Sequence, residues 1–357
     1  MKFFRPAQLL GALCLLSGCA GPSYYVQAVA GHVGLMAKRQ DTATLLAKAD
    51  TDEALREHLL LAREIREFAI KRLHLPDNGS YLDYVGTGRE AVTWNVVAAP
   101  EFSLEPRRWC FLFAGCVPYR GYFERADAER LAARLGERGL DVAVSPVLAY
   151  STLGWFRDPL LDTMFRYGDE QLAGVMFHEL AHQQLYVRGD AEFNESYASF
   201  VEDIGVPLWL ESSGRAERLP AWRRRREAYA EFTALLGETR DELALLYASE
   251  ASPATLRERK AGVFARLEDR YANLVRTRWH GENYFGGWFR DGPNNARLAL
   301  FESYAGGTCA FAALYRAAGR DLARFQALAA ERAALDNAAR HAWLDQDCAA
   351  VAPGADL

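Results

Sequence analysis

The sequence predicts a mainly helical α+β protein in which a small mixed β-sheet lies beside one central helix. Three observations carry this. Over residues 24 to 75, Leu55, Leu59, Ala62, Phe68, Ala69 and Leu73 recur at helical spacing among Arg and Glu. Between Tyr81 and Val147 the texture changes to short runs rich in Val, Tyr, Trp and Phe. Beyond Asp169 nearly all of the chain reads as helix again. With 357 residues, 50% of them apolar, and a net charge of −5, the chain can bury one large core or two modest ones, and nothing in its charge points to nucleic acid.

At the start, Lys2 and Arg5 precede an apolar run from Leu9 to Leu16, which reads as an export signal over residues 1–18, too short to remain as a membrane span. Leu16-Ser17-Gly18-Cys19 resembles the bacterial lipobox, which implies cleavage before Cys19 and a diacylglyceryl group on its sulfur. Ala20 stands where lipoproteins retained at the inner membrane often carry Asp, so the resemblance implies the periplasmic face of the outer membrane. Ala20 to Tyr25 can serve as a short tether.

The helical pattern of residues 24 to 75 is broken by Asp77-Asn78-Gly79-Ser80. Strands are expected over Tyr81–Val85, Ala91–Ala98 and Trp109–Phe113, then a helix over Ala126–Arg138 closed by Gly139, then a strand over Leu140–Val147. Val142 to Tyr150 could act as an edge strand that holds an extended peptide by main-chain bonds. Setting aside Cys14 and Cys19 leaves Cys110, Cys116, Cys309 and Cys348, an even number that reads as two disulfides in an oxidising compartment. Three connectivities are open, and proximity favours Cys110–Cys116 with Cys309–Cys348. None of the four has a Cys or His neighbour at zinc-finger spacing.

The chemistry concentrates in Phe177-His178-Glu179-Leu180-Ala181-His182-Gln183. Positions four apart stack on one helix face, so His178 and His182 present two imidazoles to one point, with Glu179 between them. That is the geometry of a zinc hydrolase, one Zn2+ per chain, in which a third protein ligand and an open position complete the ion. The helix can start with Asp169 as N-cap and stop at Gly189; a second helix begins near Asp190 and ends at Gly205 and Pro207. It carries Glu195, the preferred third ligand, and Glu202, the rival. Glu202 lies seven residues after Glu195, about 10 Å along a helix, so one is ligand and the other supports a histidine. Two amphipathic core helices with satisfied histidines are the bland alternative, but a core has no use for the carboxylate of Glu179.

Beyond the site, residues 221 to 247 and 254 to 279 are long helices with charged faces, and Arg223 to Arg226 reads as a solvated face rather than a lipid contact. The chain thus divides into a signal (1–18), an N-terminal helical segment with a small sheet (19–150), and the zinc-binding and C-terminal helices (151–357), the last two forming one compact unit.

Two resemblances sharpen this. Asn194-Glu195-Ser196-Tyr197-Ala198 resembles the N-E-x-x-A block of gluzincin metallopeptidases, whose Glu is the third zinc ligand. Only twelve positions separate His182 from Glu195, however, and Glu202 fits the longer gluzincin spacing, so both stay open. The blocks Cys110-Phe111, Cys116 to Phe123, Ala149 to Phe156, His178 to Gln183, Asn194-Glu195-Ser196 and Asn294-Asn295-Ala296 together resemble the bacterial family of predicted aminopeptidases, zinc lipoproteins of the cell envelope. The resemblance implies a zincin-like metallopeptidase that acts on peptides. Glu179 would be the general base, with Tyr304, Tyr284 or His280 as oxyanion donor. Asp203 or Glu202 would support the histidines, and Asp158, Glu282 or Glu302 could pair with a substrate ammonium. His32, His58, His74 and His341 read as surface or core residues. A zinc endopeptidase or amidase on envelope proteins or peptidoglycan peptides would share every site residue; a non-catalytic lipoprotein would not need Glu179.

Overall fold

The computed structural model describes residues 21–111, 115–149, 157–302 and 307–345; for residues 300–302 it describes the backbone alone. The expected signal over residues 1–18, Cys19, Tyr304 and Cys348 lie outside the described residues. The amphipathic N-terminal segment forms three helices, α1 (Pro22–Met36), α2 (Thr42–Ala47) and α3 (Glu53–Lys71). Asp41 and Asp52 cap α2 and α3 by accepting from the amides of Thr44 and Leu55. The apolar stripe of α3 is buried through Leu59, Ala62, Ile65 and Ala69.

The single sheet expected from sequence is instead divided. β1 (Gln40–Asp41), β2 (Asp83–Val85) and β8 (Leu160–Leu161) form one sheet, antiparallel between β1 and β2 and parallel between β2 and β8. β6 (Arg120–Tyr122), β3 (Thr93–Pro100) and β7 (Leu140–Val147) form a second, antiparallel throughout, in the order β6-β3-β7. β4 (Trp109–Phe111) and β5 (Gly115–Val117) are a hairpin of their own, tied across its register by the Cys110–Cys116 disulfide. That local clamp pairs Trp109–Phe111 with its immediate neighbour instead of the larger sheet. β7 has the predicted bounds and is an edge strand, but Asn294 donates to the carbonyl of Val142 at 3.0 Å and so covers part of that edge. Helix α4 (Arg125–Gly136) packs on this sheet through Ala128, Leu131 and Leu135.

After β8 a 3-10 turn (Asp162–Tyr167) leads into α5 (Asp169–Gln184) and α6 (Ala191–Ser212), the two helices of the motif. The C-terminal part is α7 (Leu219–Tyr247), α8 (Pro253–Thr277), the one-turn α9 (Gly286–Phe289), α10 (Asn295–Glu302), α11 (Thr308–Ala317), α12 (Leu322–Ala333) and α13 (Asn337–Leu344). The largest core runs from Leu35 to Leu344 and gathers α3, β2, β8, α5, α6, α11, α12 and α13. A second cluster, centred on Phe232, Tyr271 and Trp279, holds α7 and α8 together. No described helix is long and apolar enough to cross a membrane.

Candidate metal centre

Helix α5 owes its position to burial on almost every side: Leu172, Ala173, Met176, Phe177, Leu180 and Ala181 are each at most 1% exposed. Its first turn carries Asp169 and Glu170, favourable at a helix N-terminus and paired with Arg218 at 2.7 and 2.9 Å. Asp169 is the first helical residue, and Gly168, at φ 91°, is the cap. The helix stops at Gln184, five residues short of Gly189, which lies in the turn at φ 83°. Residues 185–188 leave the helix because the backbone of Val187 finds a partner elsewhere. Asn194, 2% exposed, accepts from its N–H and donates to its carbonyl, both at 2.8 Å. This closes the turn between α5 and α6 and sets the face on which the next residue, Glu195, emerges. Asp190 caps α6 by accepting from the Phe193 amide, as expected. It is also gripped by Arg340 of α13 at 2.6 Å, both side chains being nearly inaccessible.

Helix α6 does not end at Gly205 or Pro207 but runs through both to Ser212. Val206, Trp209 and Leu210, each at most 1% exposed, hold it in the core and outweigh the cost of an interior proline, about 3 kcal/mol. Gly205 serves close approach: a Cβ there would come within 2.8 Å of Phe177 and 2.9 Å of Leu73. Gly174, one turn before His178, does the same for Glu202, whose Oε1 lies 3.0 Å from where a Cβ would sit.

The two helices bring the predicted residues together. His178 Nε2 and His182 Nε2 are 3.1 Å apart, and the Glu195 oxygens lie 3.4 Å from His178 Nε2 and 3.6 Å from His182 Nε2. Among the described residues this is the only group of three His, Cys, Asp or Glu side chains able to hold a metal. The donors fit such an ion: bonds of about 2.0–2.1 Å in a tetrahedron separate donors by about 3.3 Å. The chemistry fits as well: two imidazoles and a carboxylate are a zinc donor set, and among the described residues the buried Glu195 Oε2 is met only by the long 3.4 Å approach of His178 Nε2. Glu202 is placed on the far side of the ring, 3.5 Å from His178 Nδ1. Asp203 pairs with Arg226 of α7. Of the run Arg223 to Arg226, the first three are exposed and the last reaches the back of the site.

The charges are mutually adjusted. Burial disfavours the charged form of His178, but Glu195 and Glu202 outweigh it and raise its pKa to about 10. Burial, then the charge on His178, lowers His182 to about 4. Of the two imidazoles, His178 is therefore the one that favours the charged form and His182 the neutral one. Burial pushes Glu202 up, yet His178 and Arg226 hold it below the usual range, whereas for Asp203 burial prevails and the pKa rises to about 6.

Glu179, between the histidines, lies close enough to two tyrosines to help raise their pKa values. Tyr81, held at φ 65°, has its pKa raised well above the ordinary value by burial and then by Glu179 and Asp158. Tyr119, 40% exposed, is raised by the protein around its phenol and then by Glu195, with Glu179 contributing. Sequence reasoning assigned neither a role. Tyr119 lies in the Cys116–Phe123 block, and that block was the available signal. Asp158, 1% exposed, accepts from Gln183 at 2.7 Å, and its carbonyl accepts from the Tyr81 amide at 2.7 Å, so it stands directly behind the motif. The remaining candidates lie elsewhere. Tyr284 packs on Trp279 in the α7–α8 cluster at 5.9 Å, and His280 and Glu282 are exposed in the turn after α8. Glu302 belongs to the residues described by backbone alone, and Tyr304 lies outside the described residues. Cys309 is disulfide-bonded.

Fold and site together define a mainly helical α+β protein with a two-histidine, one-carboxylate cluster on a pair of packed helices. The chain belongs to the family described as "putative aminopeptidase", whose model matches residues 23–344. Among curated proteins and among solved structures, none matches the chain.

Proposed function

We propose that the protein is a zinc-dependent peptidase of the bacterial cell envelope, an aminopeptidase, with zinc held by His178, His182 and Glu195. The observation that carries this is the convergence of two imidazole nitrogens 3.1 Å apart with the Glu195 carboxylate, on a helix that also presents Glu179. Zinc bound there would polarise the scissile carbonyl and lower the pKa of water toward 7. Glu179 takes the proton from the attacking water and returns it to the leaving amine. The phenol of Tyr119, whose pKa Glu195 and Glu179 help to raise, would donate to the developing oxyanion, a role for which the sequence also nominates Tyr304. Glu202 holds the His178 ring by its Nδ1 and is a support, not the third ligand. The family's description supports exopeptidase action, and attachment through a lipid on Cys19 gives its location.

A chelator titration of three variants tests this. Glu179→Gln should keep zinc while turnover falls by roughly two to four powers of ten, the worth of a positioned general base. Glu195→Gln should lose zinc at much lower chelator than wild type, and Glu202→Gln should lose only about 10- to 100-fold in affinity. If Glu202→Gln releases zinc more readily than Glu195→Gln, the ligand assignment is wrong. Aminoacyl reporters set against blocked internal peptides separate exopeptidase from endopeptidase.

A further inference from the structure

Helix α1 carries an apolar surface on the side turned away from the protein. Its inner stripe is well used. Tyr24 stacks on Phe111 at 5.1 Å and meets Tyr122 at 5.7 Å, and Gln27 bonds to the Gly121 carbonyl and the Phe123 amide at 3.4 and 3.3 Å. Gly31 lies against Phe123 so closely that a Cβ would sit 2.1 Å from its ring, and Leu35 enters the core. These four, at i, i+3, i+7 and i+11, form one helical stripe. The opposite stripe is Val26, Val29 and Val33, exposed by 67, 63 and 58%. A helix that lies on a protein normally presents charge to water there. The α1 sequence, PSYYVQAVAGHVGLM, has no Asp, Glu, Lys or Arg at all.

Positive charge flanks this helix at its N-terminal end. The Arg120 guanidinium lies over the Tyr24 ring at 4.3 Å. Arg108, exposed, donates to the Cys116 carbonyl at 2.8 Å in the hairpin whose Phe111 stacks on Tyr24, and Arg107 beside it is exposed too. An uncharged helix with a valine face, bordered by arginines, is the composition of an element that lies in a membrane interface, its apolar side among acyl chains and its basic neighbours at acidic headgroups. The 15 residues of α1 are too few to span a bilayer. The chain before the helix agrees: three residue steps separate Cys19 from Pro22, at most about 10 Å, so a lipid on Cys19 would hold α1 at the bilayer surface.

We propose that the Val26, Val29, Val33 face of α1, with Arg107, Arg108 and Arg120, docks on an acidic lipid bilayer and so fixes the orientation of the protein on the membrane, independently of the lipid anchor. The test uses the mature chain carrying Cys19→Ser, which has no lipid, so the outcome does not depend on modification of Cys19. It should co-sediment with vesicles of phosphatidylethanolamine and phosphatidylglycerol in equal parts, and more weakly with phosphatidylcholine alone. Val26→Asp, Val29→Asp and Val33→Asp together should lower the partition coefficient at least about 30-fold on both, from the apolar area withdrawn. Arg107→Gln with Arg108→Gln should lower it about fivefold per arginine on the acidic vesicles only. The three valines are exposed, so circular dichroism and the thermal midpoint of the triple variant should stay at wild-type values. The proposal is overturned if the folded triple variant binds vesicles as the parent does, or if the parent does not bind. It is also overturned if the parent self-associates without lipid and the Asp substitutions abolish that, which would make the face a contact between two copies.

Discussion

Asn194→Ala should damage the proposed metal centre without touching any of its three candidate ligands. The side chain makes two 2.8 Å hydrogen bonds to the backbone of Val187, one as acceptor and one as donor, and is 2% exposed. Removing it leaves an N–H and a C=O unpaired, each costing about 1–3 kcal/mol, the lower part of that range applying because Val187 is only partly buried. We expect a loss of about 3 kcal/mol, or about 6 °C in thermal midpoint at roughly 2 °C per kcal/mol for a chain of this size. Because the same bonds define the turn before Glu195, zinc affinity should fall by about 10- to 100-fold in a chelator competition. Helix content should not change, since the Asp190 cap is untouched. Asn194→Asp keeps the acceptor for the Val187 N–H but sets a charged oxygen against its carbonyl, and should recover only part of both losses. An unaltered midpoint would refute the account of the turn; a lowered midpoint with unaltered affinity would show that the turn does not govern Glu195.

Three further outcomes follow from the geometry. In metal-stripped protein the raised pKa of His178, about 10, contributes stability that is complete below the unfolded value of 6.5 and lost as pH climbs to 10. The lowered pKa of His182, about 4, contributes stability complete above 6.5 and lost as pH falls toward 4. Urea midpoints of the stripped protein, taken as the difference from His178→Asn, should therefore decline as pH rises from 6.5 to 10, and a flat difference over that range would contradict the charge assignment. Tyr119→Phe should keep zinc and cost about a hundredfold in kcat with little change in KM, the worth of one oxyanion donor; wild-type kcat would remove Tyr119 from the site. Gly205→Ala should lower the thermal midpoint, because overpacking Phe177 and Leu73 costs about 1–3 kcal/mol against the roughly 1 kcal/mol that alanine adds to a helix.

What was legible in the sequence was what depends on period and on local chemistry. Imidazoles four apart, Asp190 as a cap and the amphipathic stripe of α3 follow from helical geometry alone. The bounds of β7 follow from Gly139 and the run that succeeds it. Where reading failed, partners distant in the chain decided. Gly189 looked like a helix stop, but Asn194 draws Val187 out of the helix earlier. Gly205 and Pro207 looked like an end, but the core around Trp209 carries the helix past them. Strands such as Leu160–Leu161 are too short to show alternation, so the division of the sheets was invisible. Tyr119 is sixty residues from Glu179, and only the tertiary structure places its phenol near that carboxylate and Glu195.

The grip of Arg340 on Asp190 makes α13 a structural participant in the proposed metal centre. These two residues are 150 positions apart, and Asp190 starts the helix that bears Glu195. Until α13 arrives, the Asp190 carboxylate has no guanidinium, and leaving such a buried charge unpaired costs about 3–5 kcal/mol. The helix bearing Glu195 can reach full stability only once the chain is almost entire, through a contact of long sequence separation that forms late and slowly. Folding of the proposed metal site thus waits on α13, although its three candidate ligands are in place 142 residues earlier in the sequence.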